Sequence, residues 1–345
     1  MKIIHSADIH LGSKIEAKLT KEKANIRKAE VRQAFNKMVN YAALNDIKII
    51  LISGDLFDSA RPLKKDKEYF YNVVKNNPDI DFIYLKGNHD TAESGFDEDI
   101  ANLKLFSDKW ASYFYEDVTV SGIEFLGYNE YEIINGLQLP ENTKNIVMLH
   151  AESKNIPQIK EKNIDYMALG HIHTFSEAKF NIRGKAFYSG CLEGRGFDEI
   201  GIKGFVVLDT ETMSVDFIEN SLRVIEEFDV DITGSENSYE AYKIVKDSIS
   251  SDQNNICMIN LCGEINYDGL FLAEDIEEYL KDEYFFVYVK NKTTEKIDLN
   301  KLANENTLKG EFVRTVLESE QYSQQQKEQI ISVGLKAFEG QEVLK

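Results

Sequence analysis

Six short runs of apolar residues, rich in β-branched side chains, most constrain what this chain can fold into. Each run has the length and composition of a buried β-strand. Between the first two runs, apolar residues recur three and four positions apart from Val31 to Ala42, which predicts a helix that closes near Asn45. This alternation predicts an α/β layered domain that extends to about residue 220. The six runs are Lys2–His5, Lys48–Ile52, Phe82–Leu85, Ile146–Leu149, Met167–Leu169 and Phe205–Leu208.

The remainder of the chain has its own pattern of helices and strands. A helix, a strand, a second helix and a second strand are predicted in turn over Tyr239–Ile249, Ile256–Leu261, Leu270–Leu280 and Phe285–Val289. Two helical patterns, Thr307–Glu318 and Ser323–Phe338, follow. We therefore expect an α/β domain over residues 1–222, a small acidic α/β domain over 223–305 and a helical segment over 306–345. A stripe formed by Ile331, Leu335 and Phe338 can cover either the chain's own core or a partner.

Composition excludes several classes of protein. With 345 residues, of which 43% are hydrophobic, the chain is long enough for one large domain and a smaller one. It contains no run of about 18 apolar residues and no signal-like start, so we expect a protein without membrane contact. The three cysteines are too few and too widely spaced for a disulfide framework or a zinc site. A reducing, cytoplasmic location fits this usage best.

The net charge of -19 is unevenly distributed. Residues 226–283 contain sixteen acidic residues and three lysines, which accounts for -13 of the total. In contrast, residues 14–32 carry a net charge of +4 and residues 61–67 a net charge of +3. These basic stretches are either solvated helix faces or contacts for a phosphate backbone. The candidates for such contacts are Lys14, Arg61, Lys64, Lys65 and Lys67.

Polar side chains of metal-binding type follow five of the six apolar runs. Five of the six histidines are among them, whereas the sixth, His5, lies inside the first run and is predicted to be a hydrogen-bonded core residue. Because the carboxyl ends of strands in an α/β sheet gather at one crevice, these groups can converge. Gly54, Gly87 and Gly170 would permit the turns that direct them. In chain order the polar residues are Asp8, His10, Asp55, Asn88, His89, Asp90, His150, His171 and His173.

The chemistry of these side chains predicts a metal centre. Imidazoles, carboxylates and an amide without thiolates suit manganese, iron or zinc in an expanded coordination shell. Seven candidate ligands are too many for one ion and suit two ions that share a carboxylate. Two metal ions about 3.5–4 Å apart are a recurring arrangement for displacement at phosphorus. The residues alone therefore predict a dinuclear site for hydrolysis of phosphoesters.

The ordered motifs also resemble a known family. Asp8-x-His10, Gly54-Asp55-x-Phe57-Asp58, Gly87-Asn88-His89-Asp90, a lone His150 and Gly170-His171-x-His173 resemble the calcineurin-like metallophosphoesterase superfamily over residues 1 to about 220. Within it, the sequences DIHLG, DSARP and YSG followed by EGR are similar to the SbcD and YhaO type of bacterial DNA repair exonuclease. Members of that type usually carry proline at the position of Ser189. The resemblance implies a two-sheet sandwich flanked by helices, a cap-like domain and C-terminal helices.

The resemblance also implies roles for individual residues. One ion would be held by Asp8, His10, Asp55 and His173, and the other by Asp55, Asn88, His150 and His171, with manganese preferred over iron, zinc or magnesium. His89 would contact the scissile phosphate and protonate the leaving oxygen, and Asp90 would orient its ring. Some members have a second catalytic histidine where this chain has Asp58. Arg195 of the third motif is a further candidate for contact with DNA. The implied partners are DNA, an SbcC-like coiled-coil ATPase that docks on the C-terminal helices, and a second copy of the chain.

Three functions remain open at this point. The first is a manganese-dependent DNA nuclease that acts as an exonuclease, with single-strand endonuclease activity as a second mode. The second is a small-molecule phosphodiesterase or phosphatase, although phosphoprotein phosphatases of the superfamily place an arginine where this chain has Ser59. The third is a non-catalytic scaffold, which the complete set of ligand types and the presence of His89 disfavour.

Overall fold

The computed structural model describes residues 1–15, 18–90, 99–124, 136–156, 163–295 and 299–338. The chain divides into two compact units. The first comprises Met1–Glu227, Ser251–Met258 and Glu283–Phe286. The second comprises Phe228–Ser250, Ile259–Asp282 and the described residues from Val287 onward. Within the described ranges, no helix combines the length and the apolar character that crossing a membrane requires.

The first unit contains two six-stranded sheets. The first sheet has the order β12-β11-β1-β2-β3-β4, in which β1 to β4 are parallel, and the second has the order β5-β6-β7-β8-β10-β9, in which β6, β7, β8 and β10 are parallel. The antiparallel strands β5, β9, β11 and β12 lie toward the edges. The strands are β1 (Lys2–Ser6), β2 (Ile49–Ser53), β3 (Asp81–Leu85), β4 (Leu103–Leu105), β5 (Ala111–Tyr115), β6 (Val118–Gly122), β7 (Lys144–His150), β8 (Tyr166–Gly170), β9 (Ser176–Ala178), β10 (Lys185–Tyr188), β11 (Gly204–Asp209) and β12 (Ser214–Glu219).

Alternation of side chains along these strands builds three apolar layers. Ile3 and Leu51 of the first sheet pack against Val120 and Met148 of the second in the central layer. Their neighbours point the other way, where helices α1 (Lys21–Leu44) and α2 (Lys64–Lys75) cover the outer face of the first sheet. A third apolar cluster covers the outer face of the second sheet. The first unit is thus a two-sheet sandwich, with α1 and α2 on the outer face of the first sheet.

Helix α1 shows why the sequence folds in this way locally. The side chain of Thr20 caps the first turn by accepting a hydrogen bond from the backbone N–H of Lys23. Val31, Phe35 and Met38, which are spaced by three and four residues, form the buried face. The helix ends where Asn45 donates its backbone N–H to the carbonyl of Tyr41. The predicted closure near Asn45 is confirmed.

Two sheets and five helices follow in the rest of the described chain. A three-stranded sheet has the order β13-β14-β16, and β15 pairs with β17. In this part of the chain strands and helices alternate, as the sequence predicts for a small α/β domain. The strands are β13 (Ile225–Asp231), β14 (Ile256–Cys262), β15 (Glu264–Ile265), β16 (Phe286–Asn291) and β17 (Thr294–Glu295), and the helices are α3 (Ser238–Ser248), α4 (Leu272–Leu280), α5 (Leu299–Ala303), α6 (Leu308–Glu318) and α7 (Gln324–Phe338).

The C-terminal stripe is divided between two roles. Ile331 and Leu335 of α7 are buried in one cluster with Val313 and Val316 of α6, so they belong to the chain's own core. Phe338 is 40% exposed at the end of the same stripe. The sequence pattern was compatible with either burial in the chain's own core or contact with a partner. The packing shows that Ile331 and Leu335 lie in the core.

All six predicted strands of the first unit are present, each within two residues of its predicted start and end. His5 in β1 is fully buried, with one ring nitrogen 2.9 Å from the hydroxyl of Tyr166 and the other 3.2 Å from the carbonyl of Leu169. Burial lowers its pKa to about 3, which the hydrogen bond to Leu169 only partly offsets. The prediction that His5 is a satisfied core histidine is confirmed.

Candidate metal centre

The five strand ends that carry polar residues come from two sheets. Strands β1, β2 and β3 belong to the first sheet and β7 and β8 to the second, so the strand ends converge from both sheets of the sandwich that the resemblance implies. The loops are joined directly: the backbone N–H of Asp8 donates to the carbonyl of Gly54, and the N–H of His171 donates to both carboxylate oxygens of Asp8 at 3.0 and 3.1 Å. The candidate centre therefore lies where one end of the sandwich brings both sheets together.

Four of the candidate ligands have backbone angles that L-residues rarely adopt. The φ angles of Asp8, His10 and Asp55 are +50° to +51°, and that of His171 is +100°. Each such conformation costs about 1–3 kcal/mol, and it persists only where the surrounding structure imposes it. Asp and His tolerate the left-handed region better than most residues. Four candidate ligands in such conformations lower the stability of the folded state, and in return their side chains are oriented toward one another.

Three glycines allow the loops to pack around these side chains. A Cβ at Gly54 would lie 2.1 Å from Nδ1 of His150, one at Gly87 would lie 2.2 Å from Oδ1 of Asp55, and one at Gly170 would lie 1.8 Å from the carbonyl oxygen of Ser53. Gly54 also has a φ of +93°, as predicted for a turn. At Gly87 and Gly170 the absence of a side chain serves close approach.

The first set of candidate ligands centres on two imidazoles that face each other. The Nε2 atoms of His10 and His173 are 3.4 Å apart. Nδ1 of His173 lies 2.6 Å from Oε1 of Glu199, and Nδ1 of His10 lies 3.0 Å from Oδ1 of Asp58, although without the alignment of a hydrogen bond. Carboxylates on the Nδ1 side favour protonation there, which leaves a lone pair on each Nε2. Oδ1 of Asp8 lies 3.9 Å from Nε2 of His173 and completes this set.

The second set is arranged around an amide oxygen. Oδ1 of Asn88 lies 2.9 Å from Nε2 of His150 and 3.0 Å from Nδ1 of His171. Nδ1 of His150 donates to the carbonyl of Ser53 at 2.9 Å, so its Nε2 is the atom left to act as a donor of electrons. Oδ2 of Asp55 lies 3.4 Å from this Nε2 and 3.7 Å from Nε2 of His10. Asp55 is therefore placed between the two sets.

This arrangement fits divalent cations. Electron-pair donors that face one another within 3–4 Å repel unless a proton or a metal ion lies between them, and the nitrogen and oxygen donors suit manganese, iron or zinc. Asp8, His10, Asp55 and His150 are buried and form the floor, whereas His171 and His173 are half-buried and Asn88 is exposed. The rim is thus open to a ligand from solvent.

Protonation of the histidines follows from the same charges. Burial lowers the pKa of His150, but the hydrogen bond to Asp55 and the charges of Asp8 and Asp55 outweigh it and raise the pKa to about 9. For His10 the effect of burial is larger than that of the nearby Asp58 carboxylate, so the pKa of His10 falls below its ordinary value. His150 therefore carries a proton that a metal ion must displace, so metal binding at this ring strengthens as the pH rises toward about 9.

His89 and Asp90 lie in different environments. The exposed His89 packs edge-to-face against His10, with ring centres 5.0 Å apart, and its backbone N–H donates to Oδ1 of Asp55 at 2.8 Å. Ring nitrogens of His89 and His10 lie within 4.8 Å of a carboxylate oxygen of Asp58. These contacts place His89 at the rim, against the first set of candidate ligands.

The hydrogen bonds of Asp90 differ from those expected for an orienting partner of His89. Its Oδ2 accepts from the backbone N–H of Leu56 at 2.7 Å and from the hydroxyl of Tyr84, and its Oδ1 has no partner among the described residues. Burial and the nearby Asp55 carboxylate raise the pKa of Asp90 well above its ordinary value. The buried Asp90 side chain therefore stabilises the loop after β2 through its hydrogen bond to Leu56.

The basic candidates differ in their exposure to solvent. The guanidinium of Arg195 bonds Asp58 at 3.0 Å and Glu199 at 2.6 Å and is largely buried, so little of it is exposed for the predicted contact with DNA. Lys14, Arg61, Lys64 and Lys65 are exposed, and Lys67 is half-buried. The three lysines Lys64, Lys65 and Lys67 occupy the first turn of α2.

Sequence reasoning missed two carboxylates that face the histidines. Glu199 contacts His173, and Oε1 of Glu152 lies 3.4 Å from Nε2 of His171. Glu152 follows His150 by two residues, so strand alternation could have placed both side chains on one face. No spacing signals Glu199, because the loop that carries it meets His173 only in the folded chain.

Comparison with known proteins agrees with this geometry. A family model described as calcineurin-like phosphoesterase matches residues 1–175. The DNA double-strand break repair protein Mre11 of Methanosarcina acetivorans is 24% identical over 309 residues, which cover 81% of this chain and 48% of that protein. Mre11 of Sulfolobus acidocaldarius is 24% identical, over 84% of this chain and 83% of that protein. The SbcD component of the nuclease SbcCD of Staphylococcus saprophyticus is 34% identical over 98 residues, which cover 27% of this chain and 24% of that protein.

The chain spans about half the length of several of the curated relatives it matches, with coverage of 48% to 50% for four Mre11 proteins. The matches extend beyond the two-sheet sandwich, since three of them cover more than four fifths of this chain.

The placement of Asp55 and His89 predicts different effects of substitution on metal binding. Asp55→Asn keeps the size of the side chain but removes the charge between the two sets, so we expect Mn²⁺ affinity to fall by more than the roughly 10–100-fold typical for loss of an outer partner of a ligand. His89→Gln should leave Mn²⁺ binding intact, because His89 lies at the exposed rim. Calorimetric titration of the chelator-treated proteins measures both effects. A His89→Gln protein that binds fewer ions than the unsubstituted chain would contradict the placement.

Proposed function

The chain belongs to the calcineurin-like phosphoesterase family, and from that premise we propose that it is a metal-dependent nuclease that hydrolyses phosphodiester bonds of DNA in DNA repair. The observation that carries this proposal is the convergence of seven nitrogen and oxygen donors at one end of the sandwich, with Asp55 between two sets. The relatives named Mre11 and SbcCD, a repair protein and a nuclease, direct the choice of substrate toward DNA.

The donor sets define how ions would be held. Asp8, His10 and His173 would hold one ion, Asn88, His150 and His171 the other, and Asp55 would contact both. Bound divalent ions neutralise charge on the phosphoryl oxygens and lower the pKa of a coordinated water. We propose Mn²⁺ as the ion, because imidazole, carboxylate and amide donors without thiolate suit it, with iron, zinc and magnesium as alternatives.

The chain's own residues supply the remaining steps. His89 is exposed at the rim and held by its backbone N–H on Asp55, so its ring can reach a phosphate that enters from solvent. We assign it the transfer of a proton to the leaving oxygen, as a general acid. A carboxylate oxygen of Asp58 lies within 4.8 Å of a ring nitrogen of His89, beside the ring that would transfer the proton. Asp90 acts through the loop that carries Asp55, by the hydrogen bonds described above.

The shape of the site bears on the alternative functions. A half-exposed rim without a covering side chain from the described residues accepts a long polymer as well as a small phosphodiester, so activity on both kinds of substrate is compatible with its shape. A non-catalytic scaffold would not explain the unfavourable backbone angles at four candidate metal ligands. We propose exonuclease action as the principal mode, from the similarity to the SbcD type, in a cytoplasm where Cys191, Cys257 and Cys262 stay free thiols.

Activity measurements separate these alternatives. We expect the purified chain with Mn²⁺ to degrade end-labelled DNA and to hydrolyse a phosphodiester dye faster than a phosphomonoester. Loss of a general acid typically costs about 10²–10⁴-fold in rate, so His89→Gln should be slowed by that range while its Mn²⁺ binding is retained. Rapid hydrolysis of the phosphomonoester with intact DNA would instead favour a phosphatase. If the His89→Gln protein keeps full activity, His89 is not the general acid.

Contact with the DNA backbone is proposed for the first turn of α2. Three lysines, Lys64, Lys65 and Lys67, stand at this helix start, where the helix dipole disfavours positive charge, and Leu63 offers no capping side chain. Such a placement weakens the helix, yet it combines the backbone N–H groups of a helix start with cationic side chains, which suits a phosphate. The helix begins just after the loop that carries Asp55 and Asp58.

The salt dependence of binding tests this contact. Each phosphate contact contributes a slope of roughly -0.9 in log affinity against log salt on duplex DNA. Replacing the exposed Lys64 and Lys65 with Gln should flatten the slope by up to about two units. Fluorescence anisotropy with metal withheld measures the slope. The matched control replaces Lys2 and Lys48, which are exposed at the opposite, N-terminal ends of β1 and β2, and should not alter it. Equal effects of both pairs would mean that only net charge matters.

We further propose that residues 1–222 form the catalytic domain, 223–305 a cap-like domain and 306–345 a helical segment that binds an SbcC-like coiled-coil ATPase. Leu308 and Val333 are exposed on α6 and α7, as is Phe338, which leaves apolar surface for a partner helix. Light scattering of the chain mixed with such a purified ATPase should show a complex, and replacing Leu308 and Phe338 with Ser should weaken it. The same measurement on the chain alone gives its own oligomeric state, for which we propose a homodimer. If these substitutions do not weaken the complex, the ATPase binds a different surface of the chain.

A further inference from the structure

Arg195 joins the outer partners of two candidate ligands. Its guanidinium donates to Asp58 at 3.0 Å and to Glu199 at 2.6 Å, and its backbone N–H donates to Oε2 of Glu199 at 2.5 Å. Asp58 lies against Nδ1 of His10, and Glu199 lies against Nδ1 of His173. A single arginine thus ties together the two carboxylates behind the imidazoles that face each other.

Distances indicate the direction of the hydrogen bond at His173. Nδ1 lies 2.6 Å from the carboxylate of Glu199 and 3.2 Å from the guanidinium of Arg195. The closer contact to an acceptor means that Nδ1 carries the proton and donates it to Glu199, which leaves the lone pair on Nε2 for a ligand. Arg195 in turn holds Glu199 from the other side. The ring of His173 is therefore fixed in both orientation and tautomer by residues that do not touch the ion.

The second set of candidate ligands has weaker outer partners. Nδ1 of His150 donates to a neutral group, the backbone carbonyl of Ser53. Nε2 of His171 lies 3.4 Å from Glu152, which is 31% exposed and also pairs with Lys154. In contrast, Glu199 is only 5% exposed and Arg195 only 13% exposed. A buried carboxylate on Nδ1–H makes the opposite nitrogen a stronger donor than a neutral or solvated partner does.

We propose that Glu199 and Arg195 are positioning residues that make Asp8, His10 and His173 the tighter of the two metal sites, so that this site fills before the one at Asn88, His150 and His171. The proposal rests on the proposed dinuclear function. Glu199 and Asp58 together outweigh the charge of Arg195 by one negative unit, so the arginine fixes both carboxylates without cancelling their effect on the ion.

Titration calorimetry of the full, chelator-treated chain with Mn²⁺ tests this proposal. The unsubstituted chain should show two binding events of different affinity. Glu199→Gln keeps the size of the side chain and should weaken the tighter event by about 10–100-fold while the other keeps its affinity. Arg195→Lys should act in the same direction, because it loses the fork that bonds both carboxylates. The melting temperature of the metal-free Glu199→Gln protein reports separately on folding.

Two matched substitutions complete the design. Glu152→Gln should weaken only the second event, since Glu152 faces His171. Glu193→Gln removes a buried carboxylate that bonds Arg27 instead of a histidine, and it should alter neither event even where it lowers the melting temperature. Three results would overturn this inference but leave the proposed function standing. They are unchanged Mn²⁺ affinities in Glu199→Gln, a loss of affinity in Glu193→Gln equal to that in Glu199→Gln, and two binding events of equal affinity in the unsubstituted chain. Failure of the unsubstituted chain to bind Mn²⁺ would overturn the proposed function as well.

Discussion

The mutual repulsion of electron-pair donors at one end of the sandwich is the constraint on which the rest of this structure depends. Nε2 of His10 faces Nε2 of His173, and Nε2 of His150 faces oxygens of Asn88 and Asp55. Such contacts relax only when a proton or a metal ion lies between the donors, and the raised pKa of His150 means that a proton takes that place at its ring when no metal is bound. The fold must therefore hold these donors together at positions that need a bound proton or cation. Left-handed backbone angles at four candidate ligands and glycines that admit close approach are the structural means.

Rigidity of the two sheets makes this possible. The strands that end at the site lie in the parallel parts of both sheets and are buried on both faces, with the central apolar layer between them. The loops after β1 and β2 continue to pair beyond the strands, from Asp8 with Gly54 to Leu11 with Leu56. A close-packed interior has low compressibility, so the strand ends and the side chains that follow them keep nearly fixed distances. The site thus inherits its geometry from the core.

The outer partners of the histidines add a second level of control. His173 and His10 have carboxylates behind them, whereas His150 has a backbone carbonyl and His171 a partly solvated glutamate. Arg195, for which the sequence predicts a contact with DNA, is largely buried and forms ion pairs with Asp58 and Glu199 on the outer side of these histidines. The lysines at the start of α2 have no comparable burial and remain the better candidates for a backbone contact.

Much of this protein follows from its sequence, because strand length, alternation and the residue that ends each strand are local properties. The six apolar runs, the closure of α1 at Asn45, the core role of His5 and the set of polar strand ends were all predictable in this way. Pairing between distant loops is not local. Only the tertiary structure decided which strand ends share a sheet, that Asp90 accepts a hydrogen bond from the loop after β2, and that Glu199 and Arg195 lie on the Nδ1 side of His173. Those contacts join residues whose separation along the chain carries no periodic signal, so they exist only once the two sheets have packed.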